Sequence, residues 1–438
     1  MAEKKRGKQQ TEETKNITRR DFLKASSVVA AGTLVGTSVF GNGPFVFSKA
    51  YAAKKGKPIK IGTCNPLSGP VALWGVSQRR CAELWAEEIN ANGGLLVNGR
   101  RHPIELPRGD TQGLPEVART VAERLIYREK VKYIVGPNVD PTYTAVRTVC
   151  TPEKVVNFGA TFDPTNVGPD YPYAVAIMWM AHQTGPIMYH YFSKEKGAKK
   201  IAFITKDEPG ARLALEKLKK SVGAMGMQVV ANAFYAQGTT DMYPQLTKLL
   251  AGNPDVIDSP LASPEEMGLV CKAARELGYK GIISEETEGD VDVTCGIAGT
   301  ENCEGLYFNA GSYDPQHVAP AMQSYYDRYV EKFGVWNPDA PTKLYTTFTM
   351  GAMIQKCGKI DDTDAFMKAF HAMNLKTPYL VGDHVIKGVG LKEFGINNQI
   401  GVPLCLAQIR NGEAEVIYTH FAEPEKGVRY SEPYAFIW

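Results

Sequence analysis

The side chains able to do covalent or acid–base chemistry are scattered along this 438-residue chain. Cys150, His182 and Asp207 together supply a thiol, an imidazole and a carboxylate, but neither Gly-x-Ser-x-Gly nor His-Glu-x-x-His occurs to mark a nucleophile elbow or a zinc-hydrolase helix. Histidines 102, 182, 190, 317, 371, 384 and 420 are dispersed, a pattern of surface and hydrogen-bonded core residues more than of bases, although His182 falls near an expected hinge. No Gly-x-Gly-x-x-Gly follows a strand-like run and no Gly-Lys-Ser/Thr is present, so no phosphate cradle is expected. The eight cysteines contain no Cys-x-x-Cys pair and no neighbouring histidine, which argues against structural zinc. Cys295 and Cys303 close a short loop and are a candidate disulfide in an oxidising compartment, but spacing does not say whether their β-carbons meet. The chemistry on offer is binding without turnover, and no cofactor is expected.

The elements that must position such groups alternate. From residue 58 short apolar runs, Gly/Pro/Asp-rich turns and amphipathic stretches repeat, the signature of βαβ units around a parallel sheet. Pro58–Cys64, Tyr133–Gly136, Val155–Gly159, Ile201–Thr205, Asp255–Ile257, Ile282–Ser284 and Leu306–Asn309 read as strands. Gly75–Asn92 reads as a helix, its apolar Cys81, Leu84, Trp85 and Ile89 at helical spacing, and Pro115–Glu129, Arg212–Ala224, Glu265–Leu277, Ala319–Phe333, Leu344–Cys357 and Asp364–Met373 behave likewise. Two such series in succession exceed what one core serves, so two α/β lobes are expected: 53–179 plus 310–383, and 180–309 plus 384–438. The chain then crosses between them near 179–182, 308–313 and 380–386, as a hinge of short strands.

The N-terminus sets the compartment. A basic stretch from Lys4 to Lys15 leads through Thr18-Arg19-Arg20-Asp21-Phe22-Leu23-Lys24 into the weakly apolar run Ala25–Phe40, too short and too rich in Gly, Ser and Thr to span a bilayer. Ala50-Tyr51-Ala52 places small residues where a signal peptidase reads, so residues 1–52 resemble a cleaved twin-arginine signal and the mature chain is expected in the periplasm. No Cys follows that site to carry a lipid, so direct membrane anchoring is not expected. Losing nine Lys/Arg and four Asp/Glu with the signal turns the formal charge of +3 into −2, which gives no basic face for nucleic acid.

Ile61-Gly62, Leu67-Ser68-Gly69-Pro70, Gly75, Ile89-Asn90-Ala91-Asn92-Gly93-Gly94, Asp110, Val135-Gly136, Ala160-Thr161, Pro264-Glu265-Glu266-Met267-Gly268 and Glu304-Gly305-Leu306, in this order, resemble the type I periplasmic binding proteins of the branched-chain amino-acid transporter class. The likeness implies a two-lobed, monomeric, non-enzymatic receptor. It would close over a small amino-acid-like or amide-like molecule and deliver it to an ABC permease. A sensor on the same fold and, more remotely, a periplasmic hydrolase are the alternatives. By the same resemblance Thr161 holds the α-carboxylate and ammonium of the ligand, and Trp74 walls the pocket. Asp140 stands where the family has a carboxylate-binding serine, with Thr142 as the hydroxyl that would replace it. In the second lobe the ammonium-binding glutamate falls in Glu285-Glu286-Thr287-Glu288, with Glu285 the expected cleft residue and the others solvated. Asp207, in Lys206-Asp207-Glu208-Pro209, lies where the family has a tyrosine, and a second expected tyrosine near Ala262-Ser263 is also absent. Those departures imply a ligand more polar than leucine.

Overall fold

The computed structural model describes residues 54–69, 71–315 and 318–420; the expected signal and its cleavage site lie outside them. Two sheets organise the described chain. In the first, of nine strands, Ile104–Glu105 and Arg108–Asp110 both pair with Ile59–Asn65, followed across the sheet by Tyr133–Val135, Val156–Gly159 and Ala174–Ala176. In the second, Gln228–Tyr235 lies beside Lys200–Lys206, then Val256–Asp258, Ile282–Glu288 and Tyr307–Asn309. All these pairings are parallel, and in chain order both sheets read second, first, third, fourth, fifth. The lobes therefore repeat one doubly wound plan, whose strand order reverses between its first and third strands.

The strands Tyr133–Val135, Val156–Gly159 and Ala174–Ala176 are buried along their whole length, because helices cover both faces of the sheet. Helix Ala72–Ala91 returns from the first strand and lies against helix Ala340–Cys357, with the Cys81 thiol donating to the Ala340 carbonyl at 3.4 Å. In the second lobe, Ser263 caps helix Pro264–Glu276 by accepting from the Glu266 N–H while the Glu266 carboxylate takes the Ser263 N–H at 2.8 Å.

The first sheet holds more of the C-terminal chain than expected. Strands Asn374–Lys376, Val385–Val389 and Gln399–Gly401 extend it beyond Ala174–Ala176, and the chain enters the second sheet only with Leu404–Arg410 and Glu413–His420. The last crossing thus falls at 402–403 and not near 380–386, because the turns after Tyr379 fold back as antiparallel strands on the same sheet.

Candidate functional site

In open α/β sheets a ligand sits outside the carboxyl ends of the strands, where the strand order reverses. In the first lobe that point lies between Asn65, which ends the first strand, and the loop Gly136–Val139 after the third. Asn65 ties the two together: its amide donates to the Val135 carbonyl at 3.1 Å and its oxygen accepts from Asn138 at 2.8 Å. Behind Asn138 stands a buried cation. Lys343 Nζ donates to Asn138 Oδ1 at 3.0 Å and lies 3.6 Å from the Asp339 carboxylate, which also accepts from Ser77. Burial lifts the Asp339 carboxyl above its ordinary range, and Lys343 and Ser77 oppose that rise.

Backbone contacts are as close as side-chain ones here. Gly136 has φ +97°, and a β-carbon on it would lie 2.1 Å from Asn65 Oδ1 and 2.3 Å from the Cys64 carbonyl oxygen. Gly136→Ala is therefore expected to lose at least about 1–2 kcal/mol from the positive φ alone, and more from the clash. Urea denaturation measures it, and an unchanged midpoint would show that the loop relaxes freely. Gly75 is confined similarly, its absent β-carbon falling 1.9 Å from the Pro66 carbonyl oxygen, which presses the start of helix Ala72–Ala91 onto the first strand's loop. Trp74 precedes it, partly buried in the helix's first turn. Asp110 holds the same loop: it accepts from Leu67 N–H at 2.8 Å, Ser68 hydroxyl at 2.6 Å and Gln112 N–H at 2.8 Å. Burial opposes its ionisation, but these hydrogen bonds prevail and hold the carboxyl below its usual range.

Of the residues singled out in the sequence, the structure brings Asp140 and Thr161 into direct contact. Asp140 opens helix Asp140–Cys150, and its Oδ1 accepts from the Thr161 hydroxyl, from Phe162 N–H at 2.9 Å and from Asp163 N–H at 3.3 Å. Burial lifts the Asp140 carboxyl above its ordinary range despite these donors. Thr161 is 1% exposed and its hydroxyl also accepts from Asn166 at 2.9 Å, so its partners lie within the protein. Thr142 is 0% exposed and donates to the Val139 carbonyl at 2.7 Å, so it secures the helix start.

The second lobe departs further. Asp207 is exposed and pairs with Arg212 at 2.6 Å, whose guanidinium lies 4.0 Å over the Phe234 ring. Glu285 does not face solvent or an open cleft: it is 1% exposed, takes a 3.3 Å hydrogen bond from Thr287, and burial drives its carboxyl far above the ordinary range. Glu286 is not solvated either. It is 0% exposed on the opposite face of the strand, where the Tyr189 hydroxyl lies 2.7 Å from its Oε1 and 2.6 Å from Asp258 Oδ2. The reason is alternation: successive residues of a strand covered on both faces are both interior. The cysteines are all free thiols, Cys295 and Cys303 included, so the expected pairing is not made.

Sequence reasoning did not anticipate how closely the three crossings are joined. The Trp179 indole donates to the Val402 carbonyl at 2.8 Å, Ser312 donates to the Pro403 carbonyl at 2.6 Å, and Cys405 N–H reaches the Gly311 carbonyl at 2.8 Å. His182 is not a base at the cleft: it is 0% exposed and bonded to Glu393, which Lys217 of helix Pro209–Ala224 also reaches at 3.0 Å. Burial depresses the His182 imidazole more than Glu393 raises it. A hollow of about 20 Å³ beside the crossings, lined by Ser312, Tyr345, Tyr379 and Pro403, has room for a water and not for a solute.

Two lobes of one strand order, joined by three hydrogen-bonded crossings, define a two-lobed α/β protein. The chain belongs to the Periplasmic binding protein family, whose profile matches residues 58–413, and residues 16–36 match the TAT (twin-arginine translocation) pathway signal sequence. It is thus an exported, periplasmic and non-enzymatic binding protein. It is 26% identical over 336 residues to the leucine-, isoleucine-, valine-, threonine- and alanine-binding protein of Pseudomonas aeruginosa, covering 73% of this chain and 84% of that one. It is 23% identical over 335 residues to a Leu/Ile/Val-binding protein of Rhizobium johnstonii, covering 74% and 86%. Its fold matches a leucine-binding protein of Thermotoga maritima with TM-score 0.68 at 21% identity, over 82% of this chain and 98% of that one. A branched-chain amino-acid periplasmic ligand-binding protein of Burkholderia xenovorans gives 0.71 at 15% identity, over 83% and 96%. Among the described residues no helix is long and apolar enough to cross a membrane.

Proposed function

We propose that this protein captures a small amino-acid-like or amide-like metabolite between its lobes, closes over it by bending at the three crossings, and presents the closed form to an ABC permease. The observation that carries this reading is the repeated strand order with both reversal points at the carboxyl ends of the strands, joined by a hinge of short hydrogen-bonded segments. A relative named for leucine, isoleucine, valine, threonine and alanine supports a guest of about amino-acid size. Trp74 and Asp140 supply the first lobe's contacts, with Thr161 acting through Asp140. Asp207, exposed at the end of Lys200–Lys206, meets the ligand only if closure brings the second lobe's rim to it.

A binder that selects the folded state raises the melting temperature by mass action, by about 2.7 kcal/mol of stabilisation at a hundred times the dissociation constant. A thermal-shift screen of the mature chain against amino acids, their amides, polyamines and aromatic acids is expected to give a selective, saturable shift with one chemical group. Recovery of a chemically altered compound from the complex would contradict the reading.

A further inference from the structure

Asp140 occupies the place where the first lobe's donors converge. One carboxylate oxygen, Oδ1, gathers the Thr161 hydroxyl and the N–H groups of Phe162 and Asp163, all at the carboxyl end of strand Val156–Gly159. Such a cluster of backbone and hydroxyl donors is what an incoming carboxylate would need, and here it already holds one. Its other oxygen, Oδ2, takes no hydrogen bond from the described residues, and Asp140 is only partly buried. Asp163 adds a like charge nearby, and no Lys or Arg forms an ion pair with Asp140 among the described residues. A carboxylate with one oxygen anchored, the other free of hydrogen bonds and no ion-pair partner among the described residues gains most from a positively charged donor.

Resting on the solute-binding reading above, we infer that Asp140 determines specificity: its carboxylate takes the place of a ligand carboxylate in the first lobe, and its Oδ2 receives an ammonium or amidinium group of the solute. The first lobe then rejects ligands that present a carboxylate at this position, since two like charges would meet where a single set of donors serves one. The ligand class is a small organic cation, with or without a carboxylate elsewhere in the molecule.

Calorimetric titration of the mature protein with matched skeletons tests this: leucine, leucinamide, 3-methylbutylamine and 4-methylpentanoate; arginine and agmatine; benzoate and benzamidine. Leucinamide and 3-methylbutylamine are expected to bind at least tenfold tighter than 4-methylpentanoate, benzamidine at least tenfold tighter than benzoate, and agmatine at least as tightly as arginine. In Asp140→Ala the donors are released, so cation affinity is expected to fall at least tenfold while affinity for 4-methylpentanoate or benzoate rises. A change of opposite sign for the two classes does not arise from misfolding, and the wild-type ranking stands even if the variant fails to fold. A wild-type preference for the carboxylate-only members, or a variant whose two affinities move together, overturns the inference and leaves solute binding intact. No binding by any member overturns the inference together with this choice of solute, whereas a selective shift by some other solute class in the thermal screen would still support the receptor reading.

Discussion

Lys343→Ala is expected to lower the unfolding free energy by about 3–5 kcal/mol, because it strands the Asp339 carboxylate in the interior without its counter-charge. The pair is nearly inaccessible, with the Lys343 and Asp339 side chains 2% and 4% exposed. Asn138 would lose its hydrogen bond from Nζ in the same step, and with it the brace on the loop that leads into Asp140. Ligand affinity is therefore expected to fall along with stability. Urea denaturation of Lys343→Ala, Asp339→Asn and a Lys343→Met/Asp339→Asn double variant separates the terms. The double variant, carrying neither charge, is expected to recover most of the loss. If the single alanine variant proved as stable as wild type, the ion pair would have no part in holding the cleft wall.

A second large effect concerns the carboxyl groups beneath helix Ala181–Glu195. The Tyr189 hydroxyl has one proton but approaches both Asp258 and Glu286 within hydrogen-bond distance, so one of the two contacts requires a proton on the carboxyl side. Ser284 already donates to Asp258, which leaves Glu286 as the carboxylic acid. Burial is the largest cause of its raised proton affinity and the neighbouring Asp258 charge the next. A carboxyl whose folded-state proton affinity exceeds its unfolded one stabilises the fold fully below the unfolded pKa, and that contribution is lost as pH rises through the folded value. Glu286→Gln keeps the shape and a donor toward Tyr189 without needing a proton. It is expected to be more stable than wild type at alkaline pH, with the gain shrinking as pH falls toward the ordinary carboxyl range, where the unfolded group also takes up its proton. Melting temperatures of both proteins from alkaline pH down to that range provide the check, and a difference that does not vary with pH would show that Glu286 is ionised in the fold.

Much of this architecture was legible in the sequence because parallel sheets mark their strands with short apolar runs and their returns with amphipathic helices. Helix Pro115–Tyr127 and strand Tyr133–Val135 fall within a residue or two of the ranges expected. The helix Asp140–Cys150 went unread although Tyr143, Val146, Val149 and Cys150 recur at helical spacing on its buried face, because Thr142, Thr144, Arg147 and Thr148 are interspersed among them. The third crossing was misplaced because Val385–Val389 and Gln399–Gly401 carry no mark of which sheet they will join. Site residues were harder still. Asp140 and Thr161 are twenty-one positions apart, and only the fold shows that one satisfies the other. In sequence Glu285 reads as a cleft residue and Glu286 as a solvated acid, since nothing local reveals that both faces of their strand are covered. Lys343 left one trace: it is the single charged residue between Ala340 and Ile354, in the first turn of a helix whose other residues over that span are apolar, glycine or hydroxyl-bearing.

Small-angle scattering of the mature protein with and without the solute found by the thermal screen tests the central claim most directly. Two rigid lobes bending about joined crossings are expected to compact on saturation, with the radius of gyration falling in proportion to occupancy and returning on dialysis. A tight, selective ligand that left the radius of gyration unchanged would contradict a receptor that works by closing its lobes.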